Sequence, residues 1–487
     1  MHLSETIRQI NGLIFTDMTK TKIRNLIIAA VTFLLISASA SAAKQPKYVF
    51  LLIGDGMGVN EVFGTQLYNR ATGLGPETVN FTQFPVVTLV TTHSASSLVT
   101  DSAASGTALS TGVKTYNDAM GVDIDRNPLP NIAEWAKAAG FGTGVATSVG
   151  INHATPAAFY AHTASRNEYE KIALQLIGSD IDFAAGAGFL NEARKTGHDS
   201  AYLEEQAKAA GISILRGDEL RNAAAHKERV ICLSADPEET ELQYAIDRRP
   251  GDTQLCDFVQ AGIDNLYAKY AKKGFFFMIE GGKIDYAGHN NDGAANFQEV
   301  NDFAKAVDLV LAFSDKHPDE TLIVITADHE TGGLILGAGQ YLMNPGWLAS
   351  QKKSEVILND MFREFVGNDW KKVPSWEEAK DWFKDNLGLW DTIKVDPKTE
   401  RALWESYERS FIPGSSQVST LYSVSTKVVS DAIEYLNRSA AYDWAHGGHS
   451  GSPVGLYVKG SGAEAFLEVH DNTQIPVTIA KLAGYRK

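Results

Sequence analysis

Side chains that can bind a metal ion follow three apolar runs of the kind that form buried strands. The pairs of run and following residues are Lys47–Ile53 with Asp55, Phe275–Ile279 with Glu280, and Thr321–Thr326 with Asp328 and His329. In an open parallel sheet, ligands bind beyond the carboxyl ends of the strands. Neighbours such as Asp328 and His329 can serve one metal only if their strand has ended, which the following Thr331-Gly332-Gly333 indicates. We therefore expect a metal site at one edge of a sheet.

A second group of such residues lies in the segment EGGKIDYAGH, which begins at Glu280. Asp285 and His289 are four residues apart, a spacing that places them on one face of a helix. With Glu280 they form a compact set of ligands. Carboxylate with imidazole suits zinc, whereas carboxylate with hydroxyl oxygen suits magnesium.

The stretch Val99–Gly112, VTDSAASGTALSTG, contains a candidate nucleophile. It predicts a helix that opens at Asp101 and Ser102. A serine in the first helical turn lies where free N–H groups and the helix dipole favour an anion, which suits attack on a phosphate or acyl group. Taken alone, the stretch favours the simpler interpretation that Asp101 or Ser102 is only an N-cap. The metal-type residues at the strand ends shift the balance toward a nucleophile.

The elements that must position these residues alternate between strands and helices. We predict an α/β fold in which a central, mostly parallel β-sheet lies between layers of helices. Further predicted strands are Val86–Thr91, Gly144–Val149, Ile181–Ala185, Val230–Leu233 and Pro453–Lys459, and the main predicted helices are Asn131–Ala139, Tyr202–Ala210, Leu255–Lys272, Gly293–Lys316 and Thr473–Leu482.

A change of composition at about Gly337 indicates an insertion. Seven of the eight tryptophans lie between Trp347 and Trp444. A capping box at Ser375 and an Asp396-Pro397 helix start predict helices there. We predict one α/β catalytic domain over residues 45–487 that carries a tryptophan-rich helical insertion at about 338–440. The insertion is a cap over the site, a surface for a partner, or an extra packed lobe.

The amino terminus has the pattern of an export signal. Three basic residues precede the apolar run Leu26–Ile36, and SASASAA follows with Ala40 and Ala42 as an A-x-A cleavage signature. A run of eleven residues is too short to span a bilayer. We predict a cleaved signal peptide over residues 1–42, with Met18 as a more ordinary start, and a periplasmic or secreted protein without a stable membrane anchor.

The cysteines and the net charge narrow the interpretation further. Export to an oxidising compartment makes Cys232 and Cys256 a candidate disulfide, with two buried free thiols as the alternative. The formal net charge of -15 speaks against a surface that binds nucleic acid.

Five motifs together resemble the alkaline phosphatase family, in the order in which that family has them. They are FLLIGDGMG from Phe50, VTDSAAS from Val99, HATPAA from His153 with Arg166, the segment Glu280–His289, and Thr326-Ala-Asp328-His329. The match covers roughly Tyr48–Gly333 and the carboxy-terminal HGGHSG. The resemblance implies a phosphatase that hydrolyses phosphate monoesters, and it implies a homodimer.

The resemblance also implies roles for the residues of these motifs. Ser102 would be the nucleophile that becomes phosphorylated, Arg166 would bind two phosphate oxygens, and Asp101 would fix the turn and orient Arg166. Two zinc ions and one magnesium ion would be bound. The implied ligand sets are Asp55, Asp328 and His329 for the first zinc, Asp285, His289 and a carboxy-terminal histidine for the second, and Asp55, Thr155 and Glu280 for magnesium.

One position of the family pattern has two candidates in this chain, and two others are occupied by a different residue type. The carboxy-terminal ligand is His446 or His449, and the family spacing to Gly460 favours His449. His153 stands where well-studied bacterial members have Asp, and Tyr286 stands where they have Lys. The missing lysine predicts weaker retention of phosphate and faster release.

Other functions fit the sequence less well. A phosphodiesterase or sulfatase of the same superfamily is the nearest alternative, but sulfatases need C/S-x-P-x-R around the nucleophile and Ser102 is followed by AASG. A phosphate-binding or metal-binding module without turnover would not need Ser102, Arg166 and a complete set of ligands. The spacing of GDGMG differs from the G-x-G-x-x-G of nicotinamide-dependent enzymes.

Overall fold

A nine-stranded sheet forms the centre of the computed structural model. The structure describes residues 45–191, 193–339, 341–367, 373–411, 417–420 and 423–486. The signal peptide predicted for residues 1–42 lies outside these residues. The described part from Gln45 onward belongs to one compact unit.

The strands confirm the predicted α/β class. They are β1 (Tyr48–Gly54), β2 (Val86–Val90), β3 (Gly142–Thr147), β4 (Phe183–Ala185), β5 (Ser213–Arg216), β6 (Val230–Leu233), β7 (Phe275–Gly281), β8 (Thr321–Ala327), β9 (Glu330–Thr331), β10 (Leu334–Leu336), β11 (Gln417–Ser419), β12 (Val424–Thr426), β13 (Tyr442–Trp444), β14 (His449–Ser450) and β15 (Val454–Gly460). The central sheet has the order β2-β15-β8-β1-β7-β3-β4-β6-β5. Its pairs are parallel except where β15 lies antiparallel between β2 and β8.

Fifteen helices are described along the same chain. They are α1 (Val59–Thr72), α2 (Ser102–Thr111), α3 (Ile132–Ala138), α4 (Ala154–Ala157), α5 (Tyr169–Gly178), α6 (Ala193–Thr196), α7 (Ser200–Ala209), α8 (Leu255–Tyr270), α9 (Lys283–His289), α10 (Gly293–Lys316), α11 (Glu355–Val366), α12 (Trp376–Leu387), α13 (Pro397–Arg409), α14 (Lys427–Ser439) and α15 (Gln474–Ala483). None of the helices in the described residues combines the length and the apolar character that crossing a bilayer requires.

Strand β1 lies at the middle of the sheet and sets the register of its neighbours. All seven of its residues are buried, as expected for a parallel strand covered on both faces. Gly54 is opposite Gly281 of β7 and Ala327 of β8. The carboxyl ends of these three strands are therefore level, which brings the residues that follow them to one edge.

The insertion has its own apolar core. Its helices α11 to α14 bury side chains such as Phe362, Phe383 and Leu436. This core continues into the main domain through Phe297 of α10, whose ring lies 5.2 Å from that of Tyr442. The predicted capping box at Ser375 is present. The insertion is thus packed against the α/β domain.

Two short ladders join the ends of the insertion. Strand β10 pairs with β13 through Leu334 and Trp444. Strand β9 pairs with β14, and here Thr331 is opposite His449. The segment that leaves the main domain therefore lies beside the segment that returns to it.

The predicted disulfide is wrong, because Cys232 and Cys256 are both free. Cys232 is fully buried in β6, and Cys256 is partly exposed in the first turn of α8. Burial raises the pKa of the Cys256 thiol to about 12 and that of Cys232 further. Both side chains are therefore protonated thiols at neutral pH, which are poor nucleophiles for disulfide exchange.

A buried acidic pair joins the insertion to the main domain. Asp292, before α10, accepts hydrogen bonds from the backbone N–H of Glu355 at 2.7 Å and from Gln351 Nε2 at 2.7 Å. Glu355 accepts a hydrogen bond from Ser430 Oγ, but its Oε2 is buried without a partner. Burial, followed by the nearby charge of Asp292, raises the pKa of Glu355 to about 7.

We expect Glu355→Gln to stabilise the protein at alkaline pH relative to acidic pH. Because the folded-state pKa is raised, the folded state binds more protons, and stability falls as pH rises from about 4.5 through about 7. Glutamine removes this loss of about 3 kcal/mol. The free energy of unfolding from urea titrations at pH 5 and pH 9 measures the effect. Glu408→Gln, on the exposed side of α13, is the control and should keep the fall in stability that the unchanged protein shows between the two pH values; an equal response of both variants would contradict the prediction.

Candidate functional site

Three carboxylates lie at the level edge of the sheet. Asp55 follows β1, Glu280 belongs to β7 and Asp328 follows β8, and all three are fully buried. The turn after β1 approaches α9 closely at Gly56, whose φ is 69°. A Cβ on Gly56 would lie 2.8 Å from the backbone of Asp285. The turn therefore requires glycine, both for its conformation and for its space.

Helix α2 begins beside these carboxylates with Ser102 as its first residue. Asp101 is the N-cap, and its side chain accepts a hydrogen bond from Ala104 N at 3.0 Å. Ser102 Oγ lies 3.2 Å from Nε2 of His329. The two interpretations of this stretch therefore apply to different residues. Asp101 caps the helix, and the Ser102 hydroxyl faces the candidate metal ligands.

The first candidate metal group consists of Asp55, Asp328 and His329. His329 Nε2 lies 3.1 Å from Asp328 Oδ2 and 3.6 Å from Asp55 Oδ1. The ligand atoms of the three residues lie within 4.8 Å of one another. Strand β8 ends at Ala327, so the neighbours Asp328 and His329 can both face the same point.

The second group consists of Asp285, His289 and His449. Asp285 and His289 share one face of α9, with Asp285 Oδ1 3.4 Å from His289 Nε2. The pairing of β14 with β9 brings in His449, whose Nε2 lies 3.6 Å from Asp285 Oδ1. His446 is exposed and lies outside this group.

The hydrogen bonds of the two histidines in this group indicate a cation. His289 Nδ1 lies 2.7 Å from the Gly447 carbonyl, and His449 Nδ1 lies 2.9 Å from the Thr100 carbonyl. A carbonyl only accepts, so each Nδ1 carries a proton and each ring turns its Nε2 toward the other ring. These two Nε2 atoms are 3.1 Å apart, an arrangement that a metal ion between them would satisfy.

Orphaned carboxylate oxygens also fit bound metal ions. Among the described residues, Asp55 Oδ1, Glu280 Oε1, Asp285 Oδ2 and Asp328 Oδ2 are buried without a hydrogen-bond partner. Burial, and then the charge of Asp328, raises the pKa of Asp55 well above its usual value. Burial opposes ionisation of Asp285 too, but the imidazoles around it outweigh burial and lower its pKa. Buried charges of this kind need cations beside them.

A third group adjoins the first at Asp55. Thr155 Oγ1, at the start of α4, donates to Asp55 Oδ2 at 3.2 Å. Ligand atoms of Asp55, Glu280 and His153 lie within 4.8 Å of one another. The oxygens of Asp55, Thr155 and Glu280 suit magnesium, whereas an imidazole in the same place also suits zinc. His153 therefore lies near the carboxylate oxygens of Asp55 and Glu280, a proximity that the sequence motif alone did not indicate.

Arg166 is held over this region by two contacts. One guanidinium nitrogen lies 3.3 Å from Asp101 Oδ2 and the other 3.2 Å from His153 Nε2. Burial, and then the positive charge of Arg166, lowers the pKa of His153 to about 3. His153 is therefore neutral beside the guanidinium, which keeps its charge for an anion.

Tyr286 lies in a buried aromatic cluster behind His153. Its ring is 6.0 Å from that of His153, and the ammonium of Lys283 is 5.0 Å from its centre. Lys283 Nζ donates a hydrogen bond to Glu241 Oε1 at 2.9 Å and lies over the ring of Tyr244. Lys283 therefore does not replace the lysine that this chain lacks at position 286, because its ammonium is bound to Glu241 and Tyr244.

Two threonines that the sequence did not mark as site residues position the ligands. Thr331 Oγ1 donates to Asp285 Oδ1 at 2.5 Å and lies 3.2 Å from His329 Nδ1. Thr147 at the end of β3 donates to Glu280. Thr147 could have been predicted from the sequence as a residue at the end of a strand, because β3 is the neighbour of β7 and ends at the same edge of the sheet.

Comparisons with known proteins agree with this geometry. The family model for alkaline phosphatase matches residues 46–485. Alkaline phosphatase 4 of Bacillus subtilis is 32% identical over 462 residues, which cover 91% of each chain. The crystal structure of a cold-active alkaline phosphatase from Shewanella sp. has a TM-score of 0.72 and 30% identity, over 90% of this chain and 99% of the other. A mutant of TAB5 alkaline phosphatase with Mg bound in its M3 site has a TM-score of 0.63 and 26% identity, over 91% and 100%. The chain therefore belongs to the alkaline phosphatase family.

Proposed function

We propose that this phosphatase hydrolyses phosphate monoesters to an alcohol and inorganic phosphate through a phosphoserine at Ser102. One observation carries the proposal: the Ser102 hydroxyl, the two zinc-type ligand groups and the Arg166 guanidinium lie together at one edge of the sheet. A phosphate monoester dianion needs cationic groups on its non-bridging oxygens, and this edge supplies them.

The donor sets fit two zinc ions and one magnesium ion. Asp55, Asp328 and His329 would hold one zinc, and Asp285, His289 and His449 would hold the other. Asp55, Thr155 and Glu280 would hold magnesium, and the TAB5 relative with Mg in its M3 site supports a third metal. When bound, these metals neutralise developing charge on the reacting oxygens and lower the pKa of water.

The residues of the chain then perform two displacements at phosphorus. In the first, Ser102 Oγ bonds to phosphorus while the bond to the alcohol oxygen breaks, and the serine proton passes through solvent to the departing alcohol oxygen. In the second, a water oxygen bonds to phosphorus while the bond to Ser102 Oγ breaks, and a proton of that water returns to Ser102 Oγ. Arg166 donates two N–H groups to the phosphate oxygens, and Asp101 holds its guanidinium in place. The amino terminus of α2 favours the anion throughout.

Removal of the metals tests this proposal. We expect a chelator to reduce hydrolysis of an aryl phosphate at least a hundredfold, because each buried carboxylate group then lacks its counter-charge. Added zinc and magnesium should restore the rate. A bis-aryl phosphate serves as the second substrate, since a phosphodiesterase would prefer it. Activity that is indifferent to chelation, or a preference for the diester, would overturn the proposal.

Export and dimer formation are further parts of the proposal. The basic and apolar pattern before residue 43 supports cleavage and release to the periplasm or the medium. Amino-terminal sequencing of the mature protein tests the cleavage site. Sedimentation equilibrium tests the homodimer, and a monomer at micromolar concentration would contradict it.

We expect Tyr286→Lys to bind inorganic phosphate more tightly. An ammonium at this position would lie beside His153 and attract the phosphate through water. The inhibition constant for phosphate should fall about threefold to tenfold. Tyr286→Met is the matched control, because it removes the ring without adding a charge. No tightening in the lysine variant relative to the methionine variant would show that the missing lysine does not control phosphate release.

A further inference from the structure

A cavity of about 440 Å³ lies between the insertion and the second zinc-type group. We call it the insertion cavity. Its wall on the side of the main domain is formed by His289, Asn290 and Gly447, and its wall on the side of the insertion includes Thr420 and Ser430. The volume is within the range of small-molecule sites, about 300–1,000 Å³. Since His289 belongs to both the cavity and the second candidate metal group, the cavity adjoins that group.

Asn290 is fixed in this wall by the insertion. Its Oδ1 accepts hydrogen bonds from Thr420 Oγ1 at 2.8 Å and from Ser423 Oγ at 2.8 Å. Within the described part of the chain, its Nδ2 has no acceptor. The two hydroxyls therefore set the orientation of the amide and leave its two N–H groups for a ligand. Asn290 directly follows His289, so these donors lie next to the metal-type ligands.

The charged side chains around the cavity are mostly carboxylates. Asp431 is paired with Lys427, whose Nζ lies 2.5 Å from its Oδ1. Glu355, Glu434 and Asp443 also line the wall, and Arg438, outside the lining, is shared between the last two. Such a wall repels anions, and its carboxylates and amides form hydrogen bonds with the hydroxyl groups of a neutral ligand.

We infer that the insertion cavity binds the alcohol part of the substrate and favours neutral alcohols rich in hydroxyl groups, such as sugars and polyols. The inference rests on the proposed function, because the phosphate must lie between Ser102 and Arg166 for its alcohol to extend past His289. Asn290 is the residue that contacts the alcohol, and Thr420 acts through Asn290 as a positioning residue.

Two esters with rings of similar size test the inference. Glucose 6-phosphate and cyclohexylmethyl phosphate both release a primary alcohol, but only the first carries ring hydroxyls. We expect the protein to favour glucose 6-phosphate at least tenfold in kcat/KM. Asn290→Leu and Thr420→Val should each reduce this ratio about threefold to tenfold, the effect of one or two lost hydrogen bonds. Thr392→Val, on an exposed part of the insertion outside the cavity, should leave the ratio unchanged.

Calorimetric binding of the two esters to Ser102→Ala gives a readout without turnover. The same preference should appear in Kd, and Asn290→Leu in that background should remove it. Metal content measured for each variant excludes an indirect effect through His289. Equal kcat/KM for both esters, or a ratio that neither variant changes, would overturn the inference. If Ser102→Ala keeps more than a tenth of the activity toward aryl phosphate, the proposed function fails instead.

Discussion

Replacement of Ser102 by alanine is expected to lower kcat/KM for an aryl phosphate by about four orders of magnitude or more. The variant lacks the oxygen that forms the covalent intermediate, so both displacements are lost. The residual rate would come from Arg166 and the bound metals acting on a water molecule. Steady-state hydrolysis with full metal loading measures the loss.

A second serine of the same helix provides the matched control. Ser110 is also buried in α2, and its hydroxyl donates to the Thr107 carbonyl at 3.3 Å. Ser110→Ala should remain within about threefold of the unchanged protein, the value of one hydrogen bond between neutral groups. Trapping of phosphate on the unchanged protein at acidic pH, followed by peptide mapping, should locate the label at Ser102. More than a tenth of the activity in Ser102→Ala would refute the covalent route.

His449→Ala and His446→Ala are expected to differ by at least a thousandfold in activity at limiting zinc. His449 Nε2 lies 3.1 Å from His289 Nε2 and its Nδ1 is anchored on the Thr100 carbonyl. Its loss removes one of three protein ligands and leaves Asp285 with less positive charge around it. His446 lies three residues earlier on the same loop, but it is exposed and outside the metal-type groups.

Zinc content separates the two histidines independently of turnover. His449→Ala should bind one zinc fewer per chain after dialysis, and excess zinc should recover part of its activity. His446→Ala should keep the full complement. The reverse result would show that His446 is the ligand and His449 is not. Equal zinc content in both variants would show that His449 is not a zinc ligand.

The sequence predicted the strands at the centre of the sheet because these strands are uniformly apolar. Burial on both faces leaves a continuous run such as FLLI in β1, and the residue after each run falls at the sheet edge. The short strand β5, SILR, was missed because only one of its four residues is buried. The antiparallel direction of β15 could not be predicted either, because an apolar run has the same composition in either direction.

The parts of the site that depend on distance in space were harder to predict. Spacing along α9 was enough to pair Asp285 with His289, because a helix fixes that geometry. The family spacing to Gly460 favoured His449 over His446, but the pairing of β14 with β9 that places His449 beside Asp285 could not be read from the sequence. The two cysteines gave no such constraint, and the predicted bridge between β6 and α8 was wrong.

Because two short ladders pair the ends of the insertion, the composition of the insertion and the position of His449 can vary independently. Thr331 and His449 are opposite each other in the β9–β14 ladder, and Leu334 is opposite Trp444 in the next. These ladders fix His449 from the side of the main domain, so the length and composition of the segment between β10 and β13 can change while the ligand stays in place. Exchange of that segment is therefore expected to change what the insertion presents beside the site while the position of His449 is preserved.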